Sequence, residues 1–558
     1  MSEKWWKKSI IYQIYPKSFQ DTNGDGIGDL PGVISHLDDL KELGIDVIWL
    51  CPINKSPMMD NGYDISDYYV VDPVFGTNED LDELIRAARE RGIQVLLDLV
   101  VNHCSNEHPW FREAVANPDS EYASYFIIEE TEGEVPNNLR SYTGTSAWER
   151  IGDSNRFYFH VFSKEQPDLN WANPKVRREI ISMMQYWQKK GIAGFRIDAI
   201  GNLKKADAVF RHENLPSDGA DGLASPEPYV LMQDGIEEYL AELRDEVFEP
   251  HDMFTVAEVN VPKEKMDAFV GEHGMFSTVF DFSYTDMDIE KRGGKEWKRE
   301  WTVKELKEKI FASQEMIQKY GWGSPYLENH DQPRSVNKYI PEKDLGYESK
   351  TALGTLYFFL RGTPFIYQGQ EIGMENYPFA EISEIRDPFA LERYTKSENM
   401  GEDTELDMQY LRERGRDNGR TPMQWNEKKF SGFSDHEPWI GVNPDYTERN
   451  LEWEKAETKS IYHFYQKMIE LRKNSPYREI LTFGDFEAVT TEQDALICYA
   501  RRLGENRVNV MINFGAEPMP LSEELRSGTE EVILNNYEEA PEQQLLPYQA
   551  VLTTKKMR

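Results

Sequence analysis

Four short clusters place an acidic side chain directly after an apolar run: Asp98 to His103 (DLVVNH), Gly194 to Asp198 (GFRID), Val256 to Glu258 (VAE) and Glu328 to Asp331 (ENHD). A single Asp or Glu closing a strand is ordinarily a helix cap or a loop acceptor. Four in order predict carboxyl groups gathered at the carboxyl end of a sheet, where catalytic groups collect on a barrel. Arg196 and Asp198 stand two apart, so on a strand they project to the same side, where the guanidinium would hold the carboxylate ionised and oriented. A fifth cluster has different chemistry. In Asp21-Thr-Asn23-Gly-Asp25-Gly26-Ile27-Gly-Asp29, oxygen-bearing side chains alternate and Gly26 permits a tight turn, as in a calcium loop. Hard divalent cations take six or more oxygens, and Asp21, Asn23, Asp25, Asp29 and the Ile27 carbonyl could supply them to a structural Ca²⁺, or to Mg²⁺. The twelfth loop position is Gly32, not the bidentate Glu of an EF-hand, so this is an EF-like loop. The alternative is a metal-free surface loop rich in Asx turns.

These clusters need elements to hold them. Eight candidate strands recur, at 10–16, 46–52, 95–101, 193–199, 254–258, 277–282, 325–331 and 364–371, separated by helical stretches such as Leu81 to Arg91. Alternation of this kind predicts an α/β fold of the (β/α)₈ TIM-barrel type, although periodicity alone does not separate it from a large doubly wound sheet. The chain divides into a first barrel part (1–103), an inserted domain (104–171) after the third strand, and a second barrel part (172–480). The last of these carries a further insertion from Met374 to about Ser460. Ser460 to Asn474 is expected to be the helix that closes the barrel, and residues 481–558 alternate as an all-β terminal domain.

The chain has 558 residues, at about 150 per domain a prior of three to four domains. With 63 Lys+Arg against 99 Asp+Glu the net charge is −36, which repels phosphate backbones and anionic membranes and argues against a nucleic-acid partner. Aromatic residues, at 12%, exceed what a plain scaffold needs and suit flat ligands. Cys51, Cys104 and Cys498 include no C-x-x-C pair, which excludes a disulfide framework and points to a reducing cytoplasm. The first residues carry no secretion signal, and nowhere do eighteen apolar residues run together.

Ordered motifs along essentially the whole chain resemble the α-amylase family of glycoside hydrolases (family 13), in its oligo-1,6-glucosidase and α-glucosidase branch. They are QIYPKSFQDTNGDGIGDL, DNGYDISDYY, DLVVNH, QPDLNW, GFRIDA, LENHDQPR, GTPFIYQGQEIGM and RDNGRTPMQW. The resemblance implies a barrel with a domain inserted after its third strand and a C-terminal β-sandwich. It implies a retaining double displacement in which Asp198 is the nucleophile, Glu258 the acid and then the base, and Asp331 a third carboxylate gripping ring hydroxyls. By the same resemblance His103 and His330 bond the same glucose unit. Asp60 and Arg416 close the far end of the cleft, which makes the enzyme exo-acting, and Tyr63 is an aromatic platform. Phe162 and Tyr142 are looser candidates for pocket walls.

Two departures stand out. The acid lies in Ala257-Glu258-Val259-Asn260, where Gly-Glu is common in the branch. Ala199 follows the nucleophile, where α-1,6-preferring members carry Val and α-1,4-preferring members Thr or Ala. The expectation is therefore an α-1,4-glucosidase acting on maltose and short malto-oligosaccharides, with oligo-1,6-glucosidase as the first alternative. Trehalose-6-phosphate hydrolase follows, for which Lys204 and Lys205 are the one nearby basic pair, and then sucrose isomerase, whose Arg-Leu-Asp-Arg-Asp string is absent. A non-catalytic transporter-associated or carbohydrate-binding module would have no need of the complete carboxylate set. The expected partner is a small oligosaccharide, with neither nucleic acid nor membrane, and the expected state is a monomer or homodimer.

Overall fold

The computed structural model describes residues 4–219, 221–292, 295–527 and 529–556. Seven of the expected strands form one parallel sheet: β1 (Ile11–Ile14), β2 (Val47–Leu50), β3 (Gln94–Val100), β4 (Gly194–Asp198), β5 (Phe254–Ala257), β6 (Thr278–Val279) and β7 (Phe365–Tyr367). They are ordered β6-β5-β4-β3-β2-β1-β7, every neighbouring pair parallel. The expected strand at 325–331 is a correction, because that segment forms no ladder. Pro325 has no N–H to donate, and Gly321 and Gly323 precede it. The segment still occupies the gap between β7 and β6. Phe365 N–H donates to the Pro325 carbonyl at 2.9 Å and Thr363 N–H to that of Gly323 at 2.9 Å, while Thr278 Oγ1 donates to the Trp322 carbonyl at 2.8 Å.

Side chains alternate along these strands with period two. Ile11, Val47, Trp49, Leu96, Phe254, Val256 and Phe365 pack with Trp6, Phe280, Trp322 and Tyr326 into one buried cluster inside the curled sheet. Large aromatic rings fill that interior. The helices cover the outside, and the amphipathic stretch after β2 is the helix Asn78–Glu90, capped by Thr77 and burying Leu81, Leu84, Ile85 and Ala88. The closing helix is Ile461–Asn474, with Ser460 as its N-cap. It returns to the start of the chain, where Lys473 Nζ donates to the Gly44 carbonyl at 2.7 Å.

Between β3 and β4 stands a three-stranded antiparallel sheet of Ile128–Glu130, Arg156–Phe159 and Trp148–Arg150. Its small core takes Val209, Ala224 and Val230 from the stretch after β4, so the inserted segment is held in part by residues beyond its expected end. The C-terminal part is a five-stranded antiparallel sheet. Its two faces follow the alternation: Ile497, Tyr499, Val510 and Ile512 join the main core, while Leu496, Cys498 and Met511 pack with Leu521 and Leu545 of a two-stranded ribbon. Among the described residues no helix is long and apolar enough to cross a membrane.

The joint between barrel and terminal sheet rests on buried Arg501, which donates to the main-chain carbonyls of Phe359, Leu481, Thr482 and Gly484 at 2.6–3.0 Å. Arg501→Met would take the side-chain donor from the carbonyls of Phe359, Thr482 and Gly484, while Leu481 keeps Arg472 at 3.0 Å, and is expected to cost about 3–5 kcal/mol and lower Tm by several degrees. An unchanged Tm in a thermal melt would mean that this joint is not held by Arg501.

Candidate active site

Moving along each barrel strand in steps of two from its buried layer reaches polar side chains: Leu96 leads to Asp98, Gly194 to Arg196 and then Asp198, and Val256 to Glu258. The predicted site is thus the next storey of the barrel core. One guanidinium joins three carboxyls. Arg196 Nη1 lies 2.7 Å from Asp98 Oδ1 and 2.8 Å from Asp198 Oδ1, and Nη2 lies 2.8 Å from Glu258 Oε1. Asp98 also accepts from Tyr63 Oη at 3.1 Å and from Trp49 Nε1 at 3.3 Å. Ala199 has φ +44°, and this left-handed backbone turns its N–H onto Glu258 Oε2 at 3.1 Å. A non-glycine residue held there is strained.

Burial raises Asp98 to about 6 and both Asp198 and Glu258 to about 7. Three carboxyls held around one cation favour holding one proton. We place it on Glu258, which the charges of Asp198 and Asp331 both repel, whereas Asp198, though repelled by Asp98, accepts from Arg196 at 2.8 Å.

The third predicted carboxylate is held in the opposite state. Burial pushes Asp331 upward, but His330, Arg416 and Arg420 outweigh it and keep the carboxyl well below its usual range. His330 Nε2 lies 3.0 Å from Asp331 Oδ2, and Arg420 Nη2 donates to Oδ1 at 2.8 Å. Gln13 Nε2, 2.8 Å from His330 Nδ1, donates there, so Nε2 carries the proton facing Asp331. Burial keeps that imidazole neutral.

Asp60 and Arg416 meet as the resemblance implied. Arg416 Nη2 lies 3.4 Å from Asp60 Oδ1 and Nη1 3.3 Å from Asp331 Oδ1. The stronger partner of Arg416 is Asp387, gripped in a bidentate pair through Nε and Nη2. Asp60 is raised to about 7 by burial and also accepts from Gln166 Nε2 at 3.1 Å. Gln166 reaches His103, whose Nε2 bonds the Tyr63 carbonyl at 3.0 Å; burial lowers His103 to about 4. Tyr63 is only 6% exposed, with His330 stacked on its ring at 5.4 Å. Phe162 packs 5.0 Å from His103 and 5.2 Å from Tyr142, which is 38% exposed.

Sequence reasoning missed Asp387 and Arg420 as site residues. Arg420 closes a motif already singled out, four residues after Arg416; Asp387 caps a helix in a charged insertion and carried no signal. Of the basic pair named for the phosphorylated-substrate alternative, Lys205 turns inward. It is buried against Asp168 at 2.6 Å and donates to Asn102 Oδ1 at 3.1 Å, so its charge is spent inside the protein.

The 21–29 loop leads out of β1 and makes none of these contacts. Asp21 accepts from the N–H groups of Asn23, Gly24 and Gly26 and from Ser434 Oγ, and Asp29 from Thr22 and the Gly32 N–H. Asn23 and Asp25 accept from the N–H groups of Asp25 and Ile27. Among the described residues no three Asp, Glu, His or Cys side chains are arranged as a metal site, so a cation there rests on the loop's all-oxygen donor chemistry.

A protonated Glu258 raised to about 7 beside an ionised Asp198, acting as a catalytic pair, would give a bell-shaped kcat/KM profile. Activity falls above about pH 7 as Glu258 loses its proton. It falls on the acid side as Asp198 gains one. Asp331→Asn removes one of the two charges repelling the Glu258 anion and should move the alkaline limb down by about 0.5 unit or more. A limb that rose or stayed would contradict the assignment of the proton.

Comparison with known proteins agrees with this arrangement. The family model described as "Alpha amylase, catalytic domain" matches residues 13–482. An oligo-1,6-glucosidase of Bacillus cereus is 42% identical over 567 residues, covering 99% of each chain. Among solved structures, the trehalose-6-phosphate hydrolase of Bacillus licheniformis has a TM-score of 0.91 at 36% identity and covers 100% of both chains. An isomaltulose synthase from Erwinia rhapontici NX5 has a TM-score of 0.92 at 34% identity, again over 100% of both.

Proposed function

The chain belongs to the α-amylase family and is a glycoside hydrolase of the α-glucosidase type; on that premise we propose that it is an exo-acting, retaining oligo-1,6-glucosidase, releasing glucose from the non-reducing end of short isomalto-oligosaccharides. The observation that carries exo action is Arg416, which bridges Asp60 at 3.4 Å and Asp331 at 3.3 Å and so ties a charged pair to the third carboxylate. Retention is supported by the shared guanidinium, which holds Asp198 and Glu258 each 2.8 Å from one of its two terminal nitrogens. Retaining pairs stand about 5–5.5 Å apart, whereas an inverting pair needs room for a water between them.

In this reading Asp198 attacks the anomeric carbon while Glu258 protonates the departing glycosidic oxygen. Glu258 then takes a proton from water as the glycosyl–Asp198 bond breaks. Asp331, ionised throughout, grips ring hydroxyls with neutral His330 beside it.

The α-1,6 linkage is preferred over the α-1,4 expectation because of the Bacillus cereus relative, an oligo-1,6-glucosidase similar along 99% of both chains. Ala199, on which the α-1,4 expectation rested, has a second physical reason to be small. At φ +44° a β-branched side chain is costlier still, so the residue reports its backbone as well as the substrate. Of the two lysines that a phosphorylated disaccharide could call on, Lys205 is occupied by Asp168.

Glucose release from isomaltose, maltose, sucrose, trehalose and trehalose 6-phosphate, with the anomer followed by NMR, tests this directly. The expected result is preference for isomaltose with α-glucose released. Preference for maltose would return the reading to Ala199. Asp198→Asn and Glu258→Gln should each cut kcat by about 10²–10⁴-fold or more without loss of fold, and near-normal turnover in either would remove that residue from its role.

We propose further that the 21–29 loop binds Ca²⁺ through Asp21, Asn23, Asp25, Asp29 and the Ile27 carbonyl, bracing the β1 connection without touching sugar. Chelation should then lower Tm and added Ca²⁺ restore it. A Tm indifferent to chelator would leave the loop held by its own Asx turns alone.

A further inference from the structure

The helix Pro388–Met400 starts at the pocket. Its N-cap Asp387 grips Arg416, and Phe389 in its first turn lies 4.6 Å from that guanidinium. At 1.5 Å per residue it carries Lys396 roughly 12 Å beyond Pro388. There Lys396 Nζ donates to the Gly144 carbonyl at 3.0 Å. Gly144, at φ +88°, belongs to the inserted segment, two residues from Tyr142. Tyr142 accepts from Asn202 Nδ2 at 2.9 Å and, through Phe162, continues the wall that begins at His103. The bond therefore joins two excursions that face each other across the pocket. Glu392, one turn before Lys396, lies near enough to Glu165 and Lys164 of the inserted segment for their charges to act on it.

The helix is fixed on its other side. Arg393 pairs with Asp407 at 2.7 Å and donates to the Glu296 carbonyl at 2.6 Å, and Lys295 Nζ donates to Ser397 Oγ at 2.6 Å. A rigid helix thus reaches over the pocket to a loop through one half-exposed ammonium, a bond to a neutral carbonyl that water competes for.

We infer that Lys396 is a specificity-determining residue, whose tie to Gly144 narrows the pocket mouth so that short saccharides enter and longer chains are turned away. The inference rests on the glucosidase reading. Lys396 touches neither the carboxylate trio nor their partners, so it acts on access and not on the chemical step.

The test is kcat/KM for isomaltose against isomaltotetraose and for maltose against maltotetraose, with p-nitrophenyl α-glucoside as reference. It compares wild type, Lys396→Ala and Lys396→Arg. Lys396→Ala is expected to raise the long-to-short ratio about fivefold, mainly through KM of the longer substrate, as for the loss of one hydrogen bond. It should keep kcat on p-nitrophenyl α-glucoside within about twofold of wild type. Lys396→Arg should restore the original ratio. An unchanged ratio in the series that the wild type cuts, or an equal loss on every substrate, would overturn the inference while leaving the glucosidase reading in place. A wild type that cut only the maltose series would overturn the linkage alone, and one that cut neither would remove both.

Discussion

One buried guanidinium decides what the rest of the site can be. Arg196 is 1% exposed and makes contacts within 2.8 Å to Asp98, Asp198 and Glu258. Burying three carboxylates against a single cation leaves an excess of negative charge whose desolvation the Coulombic attraction does not repay. The least costly relief is to retain a proton, and the neighbouring charges direct it to Glu258. The proposed division of labour between an ionised Asp198 as nucleophile and a protonated Glu258 as acid would follow from this charge balance, with no contribution required from the substrate. Asp331 obeys the same arithmetic with the sign reversed, because two arginines and a histidine N–H leave it no reason to keep a proton.

Much of this was legible in the sequence because strand geometry is simple. Apolar runs ending in carboxyls, with Arg196 and Asp198 two apart, place their side chains without reference to anything distant. The segment at 325–331 looked like a strand by composition, but pairing depends on donors, and Pro325 supplies none. Asp387 was invisible for the opposite reason: its role arises where a helix cap meets an arginine from another loop, a contact that local pattern does not encode. The left-handed backbone of Ala199 was likewise hidden, since nothing in the type of the residue announces a positive φ. Lys205 read as half of a basic pair near the cleft and proved to be an interior strut, because a run of two lysines does not say which of them faces inward.

Charge is distributed on two scales. The net −36 belongs to the whole chain, while around the unbalanced carboxyls at Arg196 the site is framed by buried pairs such as Arg416 with Asp387 and Lys205 with Asp168. Exposed charge is screened by salt within about 10 Å at 0.1 M, whereas buried pairs are screened much less. The acidic exterior can therefore vary with little effect on the protonation states on which the chemistry turns.

The closing helix has a consequence for how the molecule is made. Gln466 Nε2 on that helix donates to the Glu42 carbonyl at 3.0 Å, a contact between residues 424 positions apart. A ribosome adding about 5–20 residues per second takes roughly 20–90 s to span that interval. For all of that time the helix Leu37–Leu43, which bears Glu42, lacks its last neighbour, and the surface at Gly44 later covered by Ile469 stays open to the surroundings or to a chaperone. Enclosure of the barrel is thus a late event in synthesis, and the nascent chain must remain soluble while its first and last helical segments are still apart.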